Sequence, residues 1–242
     1  FLTRSFYHEG IICNRKSQIN GPDDLIGKRV GMRSYTLTPG VWTRGILQTK
    51  YGLDLSSVTW VLSGDEHVEE YKVPENVVSS SNNNLIDMLL SGEVDAVIGT
   101  PVDAVIGAGA IDSPDVIPLF ENAYHADKDW FNETNIYPIS HLLVVKDEIL
   151  DGNPWLAEEL FSMFKKAKGT YVDHLQMHKD GNAEDMALLK MAEIVGGDPL
   201  PYGFEDARNG LETFIRFNVE QRIIPSIIPP ENLFPEHTLG LI

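Results

Sequence analysis

The stretch Arg29-Val30-Gly31-Met32-Arg33-Ser34-Tyr35-Thr36-Leu37-Thr38-Pro39-Gly40-Val41-Trp42 decides how the rest of this 242-residue chain is read. Arg29 to Met32 has the short apolar character of a buried strand, and Ser34 to Leu37 that of a hydroxyl-rich loop. A helix is expected from about Thr38, a suitable N-cap, with Pro39 at the first helical position. Val41, Trp42, Ile46 and Leu47 give it an apolar stripe, and Gly52 gives it a left-handed close. A strand that hands a loop to a helix start presents free backbone N–H groups and a positive dipole end. That arrangement receives an anion such as a carboxylate. Tyr35, Thr36 and Thr38 would add hydroxyl donors, and Arg33 or Arg44 would add charge. An ordinary capped helix uses the same residues without a ligand.

Outward from this unit, strand-like and helical segments alternate, the pattern of an α/β fold with mainly parallel strands. Val58 to Leu62 is a strand, residues 63–81 an exposed excursion, and Leu85 to Leu90 a short helix closed by Gly92. Val94 to Ile98 and Ile139 to Val145 are further strands. A long helix is expected from Asn153-Pro154, its buried face marked by Leu156, Leu160, Phe164, Ala167, Tyr171 and Leu175. After the turn Pro199 to Gly203 comes a helix through Leu211, Phe214 and Ile215, then a Pro-rich tail with one short helix at 230–234. The pentapeptide Asp-Ala-Val-Ile-Gly at 95–99 recurs at 103–107, too close for a solenoid repeat.

Composition narrows the function classes. Hydrophobic content of 43% and charged content of 23% fit a soluble globular protein. No apolar run reaches the roughly 18 residues of a membrane span. A formal net charge of −17 argues against nucleic acid, and an anion held by so acidic a chain needs a local electropositive pocket. The single cysteine, Cys13, follows Ile11-Ile12 and reads as a buried, inert thiol. The opening Phe1-Leu2-Thr3-Arg4 is neither a signal peptide nor a Met start, so the chain is expected to be entered midway. The expected compartment is cytoplasmic, or periplasmic if an export signal precedes Phe1.

No Walker, Gly-x-Ser-x-Gly, His-Glu-x-x-His, Cys-x-x-Cys or dinucleotide fingerprint occurs. Weaker constellations remain. His8 and His141 each stand in an apolar or aromatic stretch beside a strand, which suits either a satisfied structural imidazole or a proton donor and acceptor at a cleft. His125, Asp127 and Asp129 read as a polar loop rather than a metal site, and His174 with His178 lacks a third ligand. No metal site is therefore assigned. Arg4 reads as a surface ion pair or as a bidentate clamp on a carboxylate.

Several segments, taken in order, resemble the 4,5-dihydroxyphthalate decarboxylase family. They are Thr3-Arg4-Ser5-Phe6-Tyr7-His8, Asp24-Leu25-Ile26-Gly27-Lys28-Arg29-Val30-Gly31, and Tyr35-x-x-Thr38-x-x-Val41-Trp42-x-Arg44-Gly45. Met88 to Ala96, Tyr137-Pro138-Ile139-Ser140-His141, Pro201-Tyr202-Gly203 and Pro230 to Phe234 continue the likeness. It implies a two-lobed fold like the type II periplasmic binding proteins, with the chain beginning after the strands that open lobe one. Residues 1–8 would then be a crossover strand, 9–140 lobe two, and 141–242 the return to lobe one. The implied activity is cofactor-independent decarboxylation of a dihydroxylated aromatic dicarboxylate, with a divalent metal left open. His8 and His141 would be the acid and base, and Arg4, Tyr35, Thr36, Thr38, Arg44, Thr100 and Tyr202 the substrate contacts. Gly99-Thr100-Pro101-Val102 stands where the family places an Ala-Arg-x-Pro-like loop. The expected partner is a small aromatic carboxylate, with no nucleic acid, no membrane and room for a homo-oligomer. The rival reading is a solute-binding protein without chemistry, of the transporter type.

Overall fold

Arg29–Met32 is β3 of a six-stranded sheet whose order is β5-β4-β3-β6-β2-β7, seen in a computed structural model that describes residues 3–99, 113–177 and 181–241. The other strands are β2 (Ile12–Asn14), β4 (Thr59–Leu62), β5 (Val77–Ser79), β6 (Ala96–Val97) and β7 (Val116–Pro118). β3, β4, β5 and β6 run parallel, while β2 is antiparallel to both of its neighbours. The second copy of the pentapeptide, Thr100 and His178 lie outside the described residues.

By contact the chain divides into two units. Unit one takes Phe1–Ser5, Phe131–Ile215 and Ile227–Ile242, and unit two takes Phe6–Trp130 and Arg216–Ser226. Unit two holds the six-stranded sheet. Its core gathers Val30, Met32, Trp60 and Leu62 with Cys13, Leu25, Leu47 and Ile98, all nearly inaccessible to solvent. The apolar residues of β3, β4 and β6 are buried because α1 (Thr38–Tyr51), α2 (Leu85–Ser91) and the loops cover the sheet.

α1 buries eight of its 14 residues, Gly40 to Leu47. Pro39 lies in its first turn and Gly52 ends it at φ 73°, its N–H reaching the carbonyls of Gln48 and Leu47. The N-cap is Leu37, not Thr38: Leu37 holds the extended backbone and Thr38 is already helical. In α2, the Asn84 side chain caps the amides of Ile86 and Asp87, and Gly92 closes the helix. The excursion is shorter than expected, since Val77–Ser79 joins the sheet beside β4. Two valines flanked by Asn and Ser are too brief a signal to stand out from a polar stretch.

Unit one is mainly helical. β1 (Thr3–Arg4) and β8 (Ile139–His141) form a two-stranded antiparallel sheet. α4 (Asp147–Gly152), α5 (Leu156–Met177) and α6 (Ala183–Val195) follow. α3 (Ala123–Thr134) and α7 (Phe204–Glu220) each contribute residues to both units. Its apolar cluster is Ile139, Phe204, Ala207 and Leu211, with Phe234 and Leu239 against it. The strand expected to reach Val145 stops at His141, because β1 offers only two partner residues. The long helix starts at Leu156 rather than Asn153, which closes α4 instead.

Two outcomes follow from the packing of unit two. A Cβ on Gly45 would stand 2.0 Å from the Phe217 ring, so Gly45→Ala should lower stability by about 1–3 kcal/mol in urea titration. Burial pushes the Cys13 thiol up to about 12, favouring its protonated form in the fold. Native chain should therefore leave a thiol reagent unreacted at pH 8, where unfolded chain reacts at once. This part of the stability should fade as pH climbs from the ordinary thiol range toward 12.

Candidate functional site

The chain leaves β3 at Met32 toward β4 on one side, and β6 lies on the other side of β3, so the connections diverge between β3 and β6. In open parallel sheets, ligands sit outside the carboxyl ends of the strands at such a divergence. Here that place is occupied by the loop Arg33 to Leu37, the first turn of α1 and the residues after β6. Gly99, at φ 66°, brings its backbone against that turn, where a Cβ would stand 3.0 Å from the Gly40 nitrogen.

The loop already holds a carboxylate. The Tyr35 amide donates to Glu66 Oε1 at 2.5 Å, and the Thr36 amide and hydroxyl donate to Glu66 Oε2 at 3.2 and 2.6 Å. Glu66 comes from the exposed excursion between β4 and β5. Ser34 next to it is buried, and its hydroxyl has no partner among the described residues. Thr38 is half-buried and Arg33 exposed.

Arg44 lies wholly inside the core. Its Nε donates to Gln221 Oε1 at 2.8 Å and its Nη2 to the Tyr35 carbonyl at 2.6 Å. Nη1 meets the Met32 sulfur at 3.0 Å, and the guanidinium lies 3.8 Å from the Tyr35 ring centroid. Burial brings the Arg44 pKa down to about 10 and pushes the Tyr35 phenol up. The guanidinium is thus turned to the protein's own carbonyl, amide and aromatic groups.

His8 is 2% exposed and forms the other constellation of unit two. Its Nδ1 lies 2.5 Å from Asp127 Oδ1, which also accepts the His8 amide at 3.3 Å. Phe120 and Tyr51 meet the imidazole edge-on, with centroids at 5.0 and 5.9 Å. Nε2 is buried without a partner among the described residues. Burial pushes the Asp127 carboxyl up, while its hydrogen bond to His8 pulls it down. The polar loop expected around Asp127 is α3, and its inward face carries Asp127 and Trp130. Tyr51 ends α1 about 20 Å along the axis from Thr38, so the His8 ring packs at the far end of that helix from the carboxylate-holding loop.

Unit one places the remaining candidates. Arg4 is 7% exposed, with Nη1 and Nη2 donating to the carbonyls of Tyr137 and Pro201 at 3.1 and 3.2 Å. His141 is exposed on β8, its Nδ1 2.6 Å from the Thr3 hydroxyl. Tyr202 is half-buried, with Lys168 Nζ 4.8 Å from its ring centroid and Lys168 itself paired to Asp198. Among the described residues, no group of three or more His, Cys, Asp and Glu side chains could hold a metal. Among the described residues, no helix is long and apolar enough to cross a membrane.

No protein-family model matches the chain. It is 30% identical over 249 aligned residues to a 4,5-dihydroxyphthalate decarboxylase of Comamonas testosteroni, covering 97% of this chain and 74% of that protein. A 4,5-dihydroxyphthalate decarboxylase of Pseudomonas putida is 35% identical over 139 residues, 54% of this chain and 53% of its own length. Among solved structures, the periplasmic aliphatic sulphonate-binding protein of Escherichia coli aligns with a TM-score of 0.52 at 14% identity, over 96% of this chain and 70% of its own. That likeness places the fold among the periplasmic-binding-protein-like α/β proteins.

The Glu66 contact separates a ligand site from a loop staple. In Glu66→Ala the Tyr35 and Thr36 amides should exchange with solvent at least about tenfold faster, since each loses its acceptor. Added phthalate should restore protection at both amides, and exchange that stays fast would mark the contact as a staple only.

Proposed function

The chain belongs to the 4,5-dihydroxyphthalate decarboxylase family, and from that membership we propose that it removes one carboxyl group from a dihydroxylated aromatic dicarboxylate, with His8 and Asp127 as the proton-transfer centre. The observation that carries this is the buried imidazole held on Asp127 through Nδ1 while Nε2 has no partner among the described residues. An unsatisfied buried nitrogen costs about 1–3 kcal/mol, a cost that a purely structural histidine has no reason to bear.

The chemistry asks for such a group. In a 4,5-dihydroxyphthalate each carboxylate is para to a phenol. Loss of the phenol proton pushes electron density onto the carbon that bears the carboxylate, and an acid protonates that carbon. The bond to the carboxylate then breaks, its electron pair returns to the ring, and CO₂ leaves. The phenolate takes back a proton, so one solvent proton is consumed for each CO₂ released.

A carboxylate on Nδ1–H fixes the tautomer, leaving Nε2 as acceptor in the neutral ring and donor in the imidazolium. Asp127 also stabilises the imidazolium that must form before the carbon is protonated. His8 is assigned to that step. His141, an exposed imidazole of unit one, is not needed for that step. The loop at Tyr35 and Thr36, whose donors already hold a carboxylate, lies at the other end of α1 from His8 and is an anchor for a ligand apart from this proton-transfer centre.

A second reading, a solute-binding protein for a small carboxylate, is favoured by that same loop and by the fold shared with the sulphonate-binding protein. The two differ in turnover. With 4,5-dihydroxyphthalate in D₂O, a decarboxylase releases CO₂ and leaves one deuterium on the vacated ring carbon. His8→Ala and Asp127→Asn should each lower kcat by about 10²–10⁴-fold with the fold intact. Full activity in His8→Ala would overturn the assignment, and thermal stabilisation by the dicarboxylate without CO₂ would select the binding protein.

A further inference from the structure

α1, α2 and α6 each end on a left-handed glycine: Gly52, Gly92 and Gly196, at φ 73°, 78° and 74°. α7 ends instead on Arg222, at φ 60°. The Arg222 amide donates to the Val219 carbonyl at 3.0 Å and the Ile223 amide to the Asn218 carbonyl at 2.8 Å, the pair of bonds that closes a helix through a left-handed residue. A side chain held in that conformation costs stability that glycine would not. A long cation in a strained position points to a use for its side chain.

Arg222 borders a groove between that helix end and residues 70–72 of the excursion, all within unit two. The groove holds about 410 Å³, the size of a small-molecule site. Tyr71, Ile223 and Ile224, each half-buried, give it apolar walls. The Tyr71 hydroxyl donates to the Arg222 carbonyl at 3.4 Å and so joins the two sides. Three exposed charged side chains also line the groove: Lys72, Arg222 and Glu70. Among the described residues none of the three forms an ion pair or a side-chain hydrogen bond. Two cations and one acid leave the lining with a net positive charge, in a chain whose formal charge is −17.

We propose that this groove is a further ligand site, separate from the β3 loop and from His8, and that it takes an aromatic monocarboxylate. The uncommitted Arg222 guanidinium offers a fork for one carboxylate, with Lys72 as a second charge beside it. Tyr71 and the two isoleucines cover the ring of such an acid. A single negative charge matches the lining, whereas a dicarboxylate would set its second charge against Glu70. The acid left by decarboxylation of a dihydroxylated aromatic dicarboxylate belongs to this class, and the site stands whether or not that reaction occurs.

The test titrates benzoate into the full chain and follows amide and isoleucine methyl signals by NMR. Tyr71, Lys72, Ile223 and Ile224 should shift and saturate. Arg222→Gly should weaken binding at least about tenfold. The same variant should melt about 2–4 °C higher, because glycine relieves the left-handed strain. Arg222→Gln keeps the strain and removes the charge, so it should weaken binding as much without raising the melting temperature. Benzoate affinity unchanged in both variants, or no saturable shift at the groove, would overturn the proposal. Shifts confined to the Tyr35 and Thr36 loop or to His8 would overturn it too. Inorganic phosphate shifting these residues as strongly as benzoate would replace it with a bare anion patch.

Discussion

Unit two is organised around one buried cation. The Arg44 guanidinium reaches the loop after β3 through the Tyr35 carbonyl, β3 itself through Met32, and the segment 216–226 through Gln221. Gln221 returns its own amide to the Val41 carbonyl, closing a circuit around the middle of α1. A guanidinium suits this position because its fork reaches three directions at once and keeps its charge under heavy desolvation. Among the described residues no carboxylate forms an ion pair with it; the stacked Tyr35 ring and neutral acceptors surround the charge. The loop proposed as a carboxylate anchor is therefore held from beneath by a guanidinium bonded to its main chain.

The alternation of short apolar strands with capped helices was legible because it is local. Gly52 and Gly92 announce their helix ends, and the β3 to α1 unit forms where its residues say it should. What escaped the sequence was pairing across distance. Asp127 stands 119 positions from His8, on a helix that its Asp and His content made look like a loop. Its neighbour Trp130, buried on the same face, was the one available signal of an inward side. Glu66 was equally hidden, one acid among several in an exposed stretch.

Arg44 shows the opposite failure. Its charge and its place after the loop suggested a ligand, whereas burial assigns it to the interior. The sequence cannot rank a guanidinium as anchor or as core, because both uses demand the same residue in the same turn of helix. The apolar stripe of α5 is likewise helical where periodicity placed it, but Phe164, Ala167 and Tyr171 on that face are exposed rather than buried.

The carboxylate of Glu66 also sets a scale for affinity at the loop. A group tethered to the same fold competes at an effective concentration on the order of millimolar. Any free carboxylate that uses the Tyr35 and Thr36 amides starts from that handicap, and only contacts elsewhere on the molecule can overcome it. Simple acids of cellular abundance, which offer one carboxylate and little else, would be held off. An aromatic diacid brings a ring and a second charge to the contest. Discrimination at this loop then comes from a resident rival rather than from the shape of its walls.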